Sequence, residues 1–126
     1  MAKKALNLTD LEVYQLAIEI SELAWEIFRG LSWEEKKVVG FQFIEAIDSI
    51  GANIAEGYGR FHYLDRIKFY YNSRGSLLES FHWVSLMLKR NIGDSSKLKN
   101  LLGLLSKEKV KLNNFIRVNY VSKNKA

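Results

Sequence analysis

The 126-residue chain contains no cysteine and no proline, and only two histidines. The absence of cysteine excludes disulfides, thiolate metal sites and a cysteine nucleophile. The absence of proline removes a common helix terminator, so long uninterrupted helices are allowed. No apolar run typical of a signal peptide follows Lys3 and Lys4, and none approaches the roughly 20 residues that cross a bilayer. These absences predict a cytoplasmic protein without a membrane segment.

The composition is that of one globular domain over residues 1–126, with 48% hydrophobic and 26% charged residues. The net charge of +5 is unevenly distributed. Residues 10–58 carry −7, residues 59–93 carry +4, and residues 94–126 carry +6. Such polarity indicates self-association, contact with nucleic acid, or both.

Capping signals predict four helices. Thr9 with Glu12 and Ser32 with Glu35 have capping-box spacing, Gly30 is a candidate left-handed stop, and Asp94 or Ser95 can cap the last helix. The predicted helices cover about residues 10–29, 33–57, 63–91 and 95–120, with 121–126 as a frayed basic tail. Because the connections are short, we expect an all-α, antiparallel up-down-up-down four-helix bundle.

The first predicted helix has an unusually wide apolar face. At about 100° per residue its apolar side chains span roughly 220°, whereas a bundle helix needs an apolar face of about 100°. One interpretation is a helix sunk deeply in its own domain. The other is a second apolar face that contacts another subunit, formed by Tyr14, Ile18, Trp25 and Phe28.

The fourth predicted helix has an apolar heptad pattern that Glu108 interrupts at one core position. Its basic residues either solvate an exposed face or contact phosphates. Together with bases of the third helix, they form the candidate nucleic-acid-binding set: Arg60, Arg66, Lys68, Lys89, Arg90, Lys97, Lys99, Lys107, Lys109, Lys111 and Arg117.

Polar residues interrupt the hairpin formed by the second and third helices. The two helices should run antiparallel on either side of a turn near residues 60–62. A residue of the second helix then lies beside the residue of the third helix for which the two residue numbers sum to about 121. We therefore expect Arg74 to pair with Asp48 or Glu45, and Arg66 or Lys68 to lie near Glu56 and Asn53. Gly75 would allow the two backbones to approach closely. The predicted structural network comprises Glu45, Asp48, Asn53, Glu56, Arg74, Ser76 and Glu79.

The sequence gives little support for a metal site or for catalysis. Glu79 and His82 have the Glu-x-x-His spacing of a di-iron bundle site, but His62 lacks the matching Glu. No serine, histidine and acid occur at a spacing typical of nucleophilic catalysis. The aromatics and arginine around residues 58–63 either stack on nucleobases or cap the core. We therefore predict no catalytic residues, no metal and no cofactor.

Two motifs carry a resemblance to a known family. Residues 53–60, Asn-Ile-Ala-Glu-Gly-Tyr-Gly-Arg, and 74–79, Arg-Gly-Ser-Leu-Leu-Glu, resemble the 23S rRNA intervening-sequence protein family of bacterial four-helix bundles. The start of the first helix, residues 10–14, is similar to that family's as well. The resemblance implies pentameric rings and no catalytic residues. Related proteins are accessory variability determinants of diversity-generating retroelements, in which a basic surface engages nucleic acid and a reverse transcriptase.

The chain departs from that family in its second helix. Many relatives have a basic Arg-Arg-Ala stretch where this chain has Glu45-Ala46-Ile47-Asp48, and a proline before the helix that is missing here. The acidic substitution moves the expected nucleic-acid surface to the third and fourth helices. The sequence thus predicts a non-enzymatic, ring-forming scaffold that binds RNA or DNA. The alternative is a protein-interaction adaptor that binds no nucleic acid.

Overall fold

The computed structural model describes residues 7–125, with side chains described as far as Tyr120. Within these residues there is no β-strand, and four long helices follow one another: α1 Glu12–Arg29, α2 Trp33–Tyr58, α3 Tyr63–Lys89 and α4 Ser95–Lys125. The predicted all-α class is confirmed. The bounds of the first three helices lie within two residues of the predicted ones.

The fourth helix is longer than predicted. Its backbone is helical to Lys125, so the frayed tail expected over 121–126 is wrong for residues 121–125, and Ala126 lies outside the described residues. No glycine or proline follows Tyr120 to stop the helix. At the other end, the Asp94 Oδ1 accepts a hydrogen bond from the backbone N–H of Lys97 at 2.9 Å. Asp94 is therefore the N-cap, as one of the two alternatives predicted.

The start of α1 differs from the predicted capping box. The backbone N–H of Asn7 donates to the Asp10 carboxylate at 2.8 Å, which closes a single 3-10 turn over Leu8–Asp10. The chain is extended at Leu11, and α1 begins at Glu12 without a side-chain cap. The box predicted between Thr9 and Glu12 is therefore wrong, since Glu12 already lies inside the helix.

Turn geometry also differs at the glycine after α1. Gly30 has φ −80° and ψ −7°, so the predicted left-handed stop is wrong. Left-handed backbone occurs instead between α3 and α4, at Asn91 with φ 57° and Gly93 with φ 86°. A residue with positive φ reverses the chain tightly, and glycine adopts it at no steric cost.

The capping box at the start of α2 is confirmed. The Ser32 hydroxyl accepts from the backbone N–H of Glu35 at 3.1 Å, and the Glu35 carboxylate accepts from that of Ser32 at 2.8 Å. The helix passes through a π-helical turn at Lys36–Gly40 before it continues as α-helix over Phe41–Tyr58.

By length and composition, α2 is apolar enough to cross a membrane, which corrects the expectation that no stretch qualifies. Core helices of bundles pass the same test. In this fold Phe43, Ile47, Ile50 and Ile54 are fully buried among the other helices. These apolar residues of α2 belong to the protein core, whereas Trp33, Val38 and Phe41 of the same helix are exposed.

Neighbouring helices run antiparallel. Each successive pair of helices is in contact, and α1 closes the bundle against α4. In each pair of helices, the residue number rises along one helix as it falls along the other. The contacts that show this are Ala17–Gly51 and Phe28–Phe41 for α1 and α2, Ile50–Ser73 and Gly57–Tyr70 for α2 and α3, Tyr63–Tyr120 and Arg74–Asn113 for α3 and α4, and Glu12–Lys111 and Glu26–Lys97 for α1 and α4. In this arrangement α2 and α4 lie diagonally across the bundle.

A buried hydrogen bond fixes α3 against α2. The Ser73 hydroxyl donates to the backbone carbonyl of Ile50 at 2.8 Å, and both residues are fully buried. A backbone carbonyl in a helix already accepts one bond, so the serine uses its second lone pair. This contact sets both the register and the rotation of α3.

The core contains one unpaired acid. Glu108 is fully buried, and neither carboxylate oxygen has a hydrogen-bond partner among the described residues. Burial raises its pKa to about 8, although the positive charge of Lys111 acts in the opposite direction. A buried carboxyl group avoids the cost of desolvating a charge by remaining protonated. Glu108 is therefore largely neutral at pH 7.

The close approach of α2 and α3 occurs at Gly57 and not at Gly75. A Cβ added at Gly57 would lie 2.7 Å from the Tyr70 ring and 3.0 Å from the Phe69 Cβ. A Cβ at Gly75 would meet nothing within 4 Å. The expected role of Gly75 is thus wrong, because that residue lies on the exposed side of α3.

Replacing the buried acid should stabilise the protein in a pH-dependent way. Glu108 ionises near pH 4.5 when unfolded and near pH 8 when folded, so the folded state binds more protons between these values and stability falls as pH rises. We expect Glu108→Leu to raise the free energy of unfolding by about 3 kcal/mol at pH 7 and about 5 kcal/mol at pH 9. Urea denaturation at pH 5, 7 and 9 measures this difference.

The control for that experiment is Glu19→Leu, which removes one negative charge from an exposed position of α1. Measured alongside, it shows how the same exchange of residues acts outside the core. If the Glu108→Leu and wild-type stabilities keep a constant difference from pH 5 to 9, Glu108 does not titrate in the core.

Two glycine substitutions should have opposite effects. Gly57→Ala should lower the free energy of unfolding by about 1–3 kcal/mol, because the new methyl group overlaps Tyr70. Gly75→Ala should raise it by up to about 1 kcal/mol, because alanine favours the helix and the site has room. Thermal and urea denaturation of both variants provide the comparison. Equal effects of the two substitutions would contradict this assignment of the close approach.

Candidate nucleic-acid interface

As far as Tyr120, the charged side chains on the outer surface of α4 are all positive. The only acid in the helix sequence is Glu108, and its side chain is in the core. Lys97, Lys99, Lys107, Lys109 and Arg117 are exposed, and Lys111 is half-buried. All six belong to the predicted nucleic-acid-binding set.

Two of these cations are partly neutralised by α1. Lys111 forms an ion pair with Glu12 at 3.0 Å, and Lys97 lies 3.8 Å from the Glu26 carboxylate. Among the described residues Lys99, Lys107 and Lys109 form no ion pair. These three lysines are therefore the cations of α4 most available to a phosphate.

The predicted bases of α3 and the preceding turn divide into two groups. Arg60 pairs with Glu56 at 2.6 Å and lies over the Phe69 ring at 4.8 Å, while Arg66 Nε donates to the Arg60 carbonyl at 2.6 Å. These two arginines stabilise the α2–α3 turn. The second group, Lys68, Lys89 and Arg90, is exposed on the surface of α3 or just beyond it.

A groove between α3 and α4 adds aromatic side chains to this basic surface. It encloses about 400 Å³ and is lined by Tyr71, Arg74, Asn113, Ile116, Arg117 and Tyr120. The Tyr71 and Tyr120 rings lie 6.3 Å apart at 57°, and 44% and 39% of the two residues are exposed. A hydrogen bond with Tyr71, followed by burial, raises the pKa of the Tyr120 hydroxyl. The Tyr120 hydroxyl is therefore neutral at pH 7.

Arg74 faces this groove and does not pair with Asp48 or Glu45. Its Nε donates to the Asn113 Oδ1 at 2.9 Å. The reason is helical rotation: Ser73 points to α2, and the next residue is turned by about 100°. The predicted ion pair is wrong, although the register on which it was based lies within a few residues of the observed one.

The other members of the predicted polar network do not bond across the two helices. Asn53 donates to the Ser49 carbonyl, the Ser76 carbonyl accepts from Ser80, and Glu56 binds Arg60. Glu45, Asp48 and Glu79 are exposed and form no ion pair in the described part of the chain. Each interaction stays local to one helix or turn, so these residues do not form the expected network that sets register.

The candidate oligomer interface is only partly on the surface. Ile18 and Trp25 are 43% and 49% exposed, and Tyr14 is half-buried. Phe28 is buried, because its ring packs between Trp25 at 5.4 Å and Phe41 at 5.6 Å. The exposed apolar surface continues instead onto α2. We call Trp25, Trp33, Val38 and Phe41 the corner patch; 46–66% of each residue is exposed.

The aromatics at the α2–α3 turn are also separated by the fold. Phe61 is 88% exposed with its ring against His62, whereas the Tyr63 ring packs edge-on against Tyr120 at 6.1 Å. The turn and the groove therefore lie at the same end of the bundle. For metal binding, no suitable group of three or more His, Asp or Glu occurs within residues 7–125.

Sequence reasoning missed Tyr71, Asn113 and Tyr120 as members of the site. The register rule that was applied to the α2–α3 turn would have found one contact. For antiparallel helices α3 and α4 with a turn near Gly93, the numbers of two neighbouring residues should sum to about 187. The numbers of Arg74 and Asn113 have this sum. Tyr71 and Tyr120 sum to 191, one helical turn from that register.

Comparison with known proteins places these residues in a family context. A sequence model of the family described as "23S rRNA-intervening sequence protein" matches residues 9–114. Comparison with curated proteins gives no significant match.

A solved structure shares the fold. It is the crystal structure, at 1.70 Å, of a protein with unknown function from the S23 ribosomal protein family of Bacteroides thetaiotaomicron. The two chains are 20% identical with a TM-score of 0.77, over 83% of this chain and 95% of the other. At 20% identity the similarity establishes the helical bundle fold and assigns no role to the surface residues.

Proposed function

The chain belongs to the family of 23S rRNA-intervening sequence proteins, and from this premise we propose that it is a non-enzymatic, oligomeric scaffold that binds RNA or DNA. The binding surface is the outer face of α4 with the adjoining part of α3. The proposal includes a cytoplasmic location, and the resemblance adds a ring of five subunits and a protein partner such as a reverse transcriptase.

The observation that carries the proposal is the exclusively basic outer face of α4. Six cations occupy it, and the one acid of the helix is withdrawn into the core and largely neutral at pH 7. A solvated helix face ordinarily mixes both signs of charge. A face without acids favours a polyanion, since each cation can neutralise a phosphate and release a counterion.

The charges of α2 support the choice of this face. Glu34, Glu35, Glu45, Asp48 and Glu56 make α2 acidic despite Lys36 and Lys37, and the helix lies diagonally opposite α4. A polyanion approaching the protein is thus repelled on one side and attracted on the other. The dipolar charge distribution orients the protein on nucleic acid before contact.

The corner patch supports self-association. Its four residues expose on the order of 300–400 Å² of apolar surface, in the range where exposed patches on monomers become functional. A stable interface buries about 800 Å² per partner, so the patch has the size of an interface centre. It lies on α1 and α2, so a contact between subunits through it leaves much of the α4 face exposed to solvent.

The same patch favours a second candidate function, that of a protein-interaction adaptor.

Removing two unpaired lysines should reduce the salt dependence of binding. For Lys99→Gln with Lys107→Gln, we expect the slope of log affinity against log salt to fall by about 1.4–1.8, because each phosphate contact contributes about 0.7–0.9. Fluorescence anisotropy with a labelled 20-nucleotide RNA between about 50 and 200 mM salt measures the slope. The matched control is Arg29→Gln with Lys37→Gln, which removes the same charge from exposed positions of α1 and α2.

The controls decide between the two candidate functions. Equal slopes for both double variants would contradict a binding surface on α4. Absence of measurable binding by the wild type at about 50 mM salt would reject the nucleic-acid function and favour the adaptor.

Polar substitutions in the corner patch should dissociate the oligomer. Light scattering of the wild type should give a multiple of the 14.6 kDa chain mass, and Trp33→Ser with Phe41→Ser should shift it toward the monomer. Phe61→Ser is the control, because Phe61 is 88% exposed in the turn after α2 and lies outside the patch. A wild-type mass of one chain at micromolar concentration would contradict self-association.

A further inference from the structure

The α3–α4 groove differs from the other grooves of the bundle in its chemistry. Its lining consists of two tyrosines, two arginines, one asparagine and one isoleucine, with no carboxylate. The α1–α4 groove includes Asp10 and Glu12, and the two α2–α3 grooves include Glu79. In the described part of the chain, this groove thus combines exposed aromatic rings with cations and excludes negative charge.

The rings are available to a planar ligand. More than a third of each of Tyr71 and Tyr120 is exposed, and their planes are tilted by 57° rather than closed on each other. The Tyr120 ring also packs against the Tyr63 ring, with the centroids 6.1 Å apart and the planes at 76°. Aromatic faces held in this way are platforms on which a nucleobase stacks, whatever its identity.

The polar groups of the groove match the rest of a nucleotide. Arg74 and Arg117 line the same cavity as the rings, and a guanidinium binds phosphate oxygens in a bidentate manner. The Arg117 Nη2 donates to the Asn114 Oδ1 at 3.3 Å, a long hydrogen bond that a phosphate oxygen can replace. The Asn113 Oδ1 accepts from Arg74, and the amide group of Asn113 has two further N–H donors. The volume of about 400 Å³ suits a small ligand such as one nucleotide unit.

We propose that this groove binds an unpaired nucleotide of a single-stranded nucleic acid, with the base against Tyr71 and Tyr120 and the flanking phosphates on Arg74 and Arg117. In a duplex each base face is covered by its neighbours, so a protein ring reaches it only when the strand is unpaired. The inference rests on the proposed function, and it narrows the proposed ligand from any polyanion to a single-stranded nucleic acid. The exposed lysines of α4, which precede the groove residues along the helix, then hold the backbone on that side of the groove.

The test compares four labelled 20-mers with the wild-type protein at one salt concentration: oligo(dT), oligo(rU), a duplex of mixed sequence, and an abasic strand with the same phosphates. We expect both single strands with bases to bind roughly 5- to 150-fold more tightly than the abasic strand, the range for one stacked base. They should also bind more tightly than the duplex.

A variant localises the effect. Tyr71→Leu with Tyr120→Leu keeps apolar side chains but removes the π-faces, so its affinity for oligo(dT) should fall to that of the abasic strand with an unchanged salt slope. Tyr14→Leu, on α1, should leave the preference intact. A melting curve verifies that the double variant is folded, and the abasic comparison needs no variant.

Each outcome separates this inference from the function on which it rests. Equal binding of the four ligands by the wild type, or a preference that survives the double tyrosine substitution, would overturn the single-strand site and leave the basic surface standing. If none of the ligands binds at about 50 mM salt, both are rejected.

Discussion

The contact between α2 and α3 determines most of what this protein presents to its surroundings. The Ser73 hydroxyl binds the Ile50 carbonyl in the core, and Gly57 allows Tyr70 to approach the α2 backbone. Together these contacts fix the rotation of α3 about its axis. Because residue 73 points inward to α2, Arg74 must point to α4, and Tyr71 follows it on the same side. The groove with its two tyrosines is thus a consequence of a hydrogen bond on the opposite flank of the helix.

A second constraint concerns charge. An unpaired acid in a helical core destabilises the fold when it ionises, and Glu108 limits this cost by staying protonated to a higher pH, with its pKa raised to about 8. Its burial also leaves α4 without any surface acid. A substitution that stabilises the core therefore need not alter the surface potential at pH 7, since the group is already largely neutral. Stability and surface charge are in this way separable in the protein.

The prediction from sequence succeeded where signals were local. Capping at Ser32 and Asp94 marked two helix starts, and the glycine-rich turns marked the hairpins. It failed where a helix end had no stop signal, as at Tyr120, and at the start of α1, which has no side-chain cap. It also assigned the close approach to Gly75. Spacing alone cannot tell which of two glycines on a helix faces its neighbour, because that depends on the rotation of the helix.

The sequence by itself determined the helical class, the number of helices, the acidic-to-basic polarity and the family, because these follow from periodicity, capping and composition along the chain. Only the tertiary structure decided which polar residues meet. Arg74 binds Asn113, 39 positions away, and Glu45 and Asp48 remain on the surface. It also placed acidic α2 diagonally opposite basic α4 and gathered Trp25, Trp33 and Phe41 into one patch. Such neighbours depend on the rotation and order of packed helices, which the sequence pattern of a single helix does not specify.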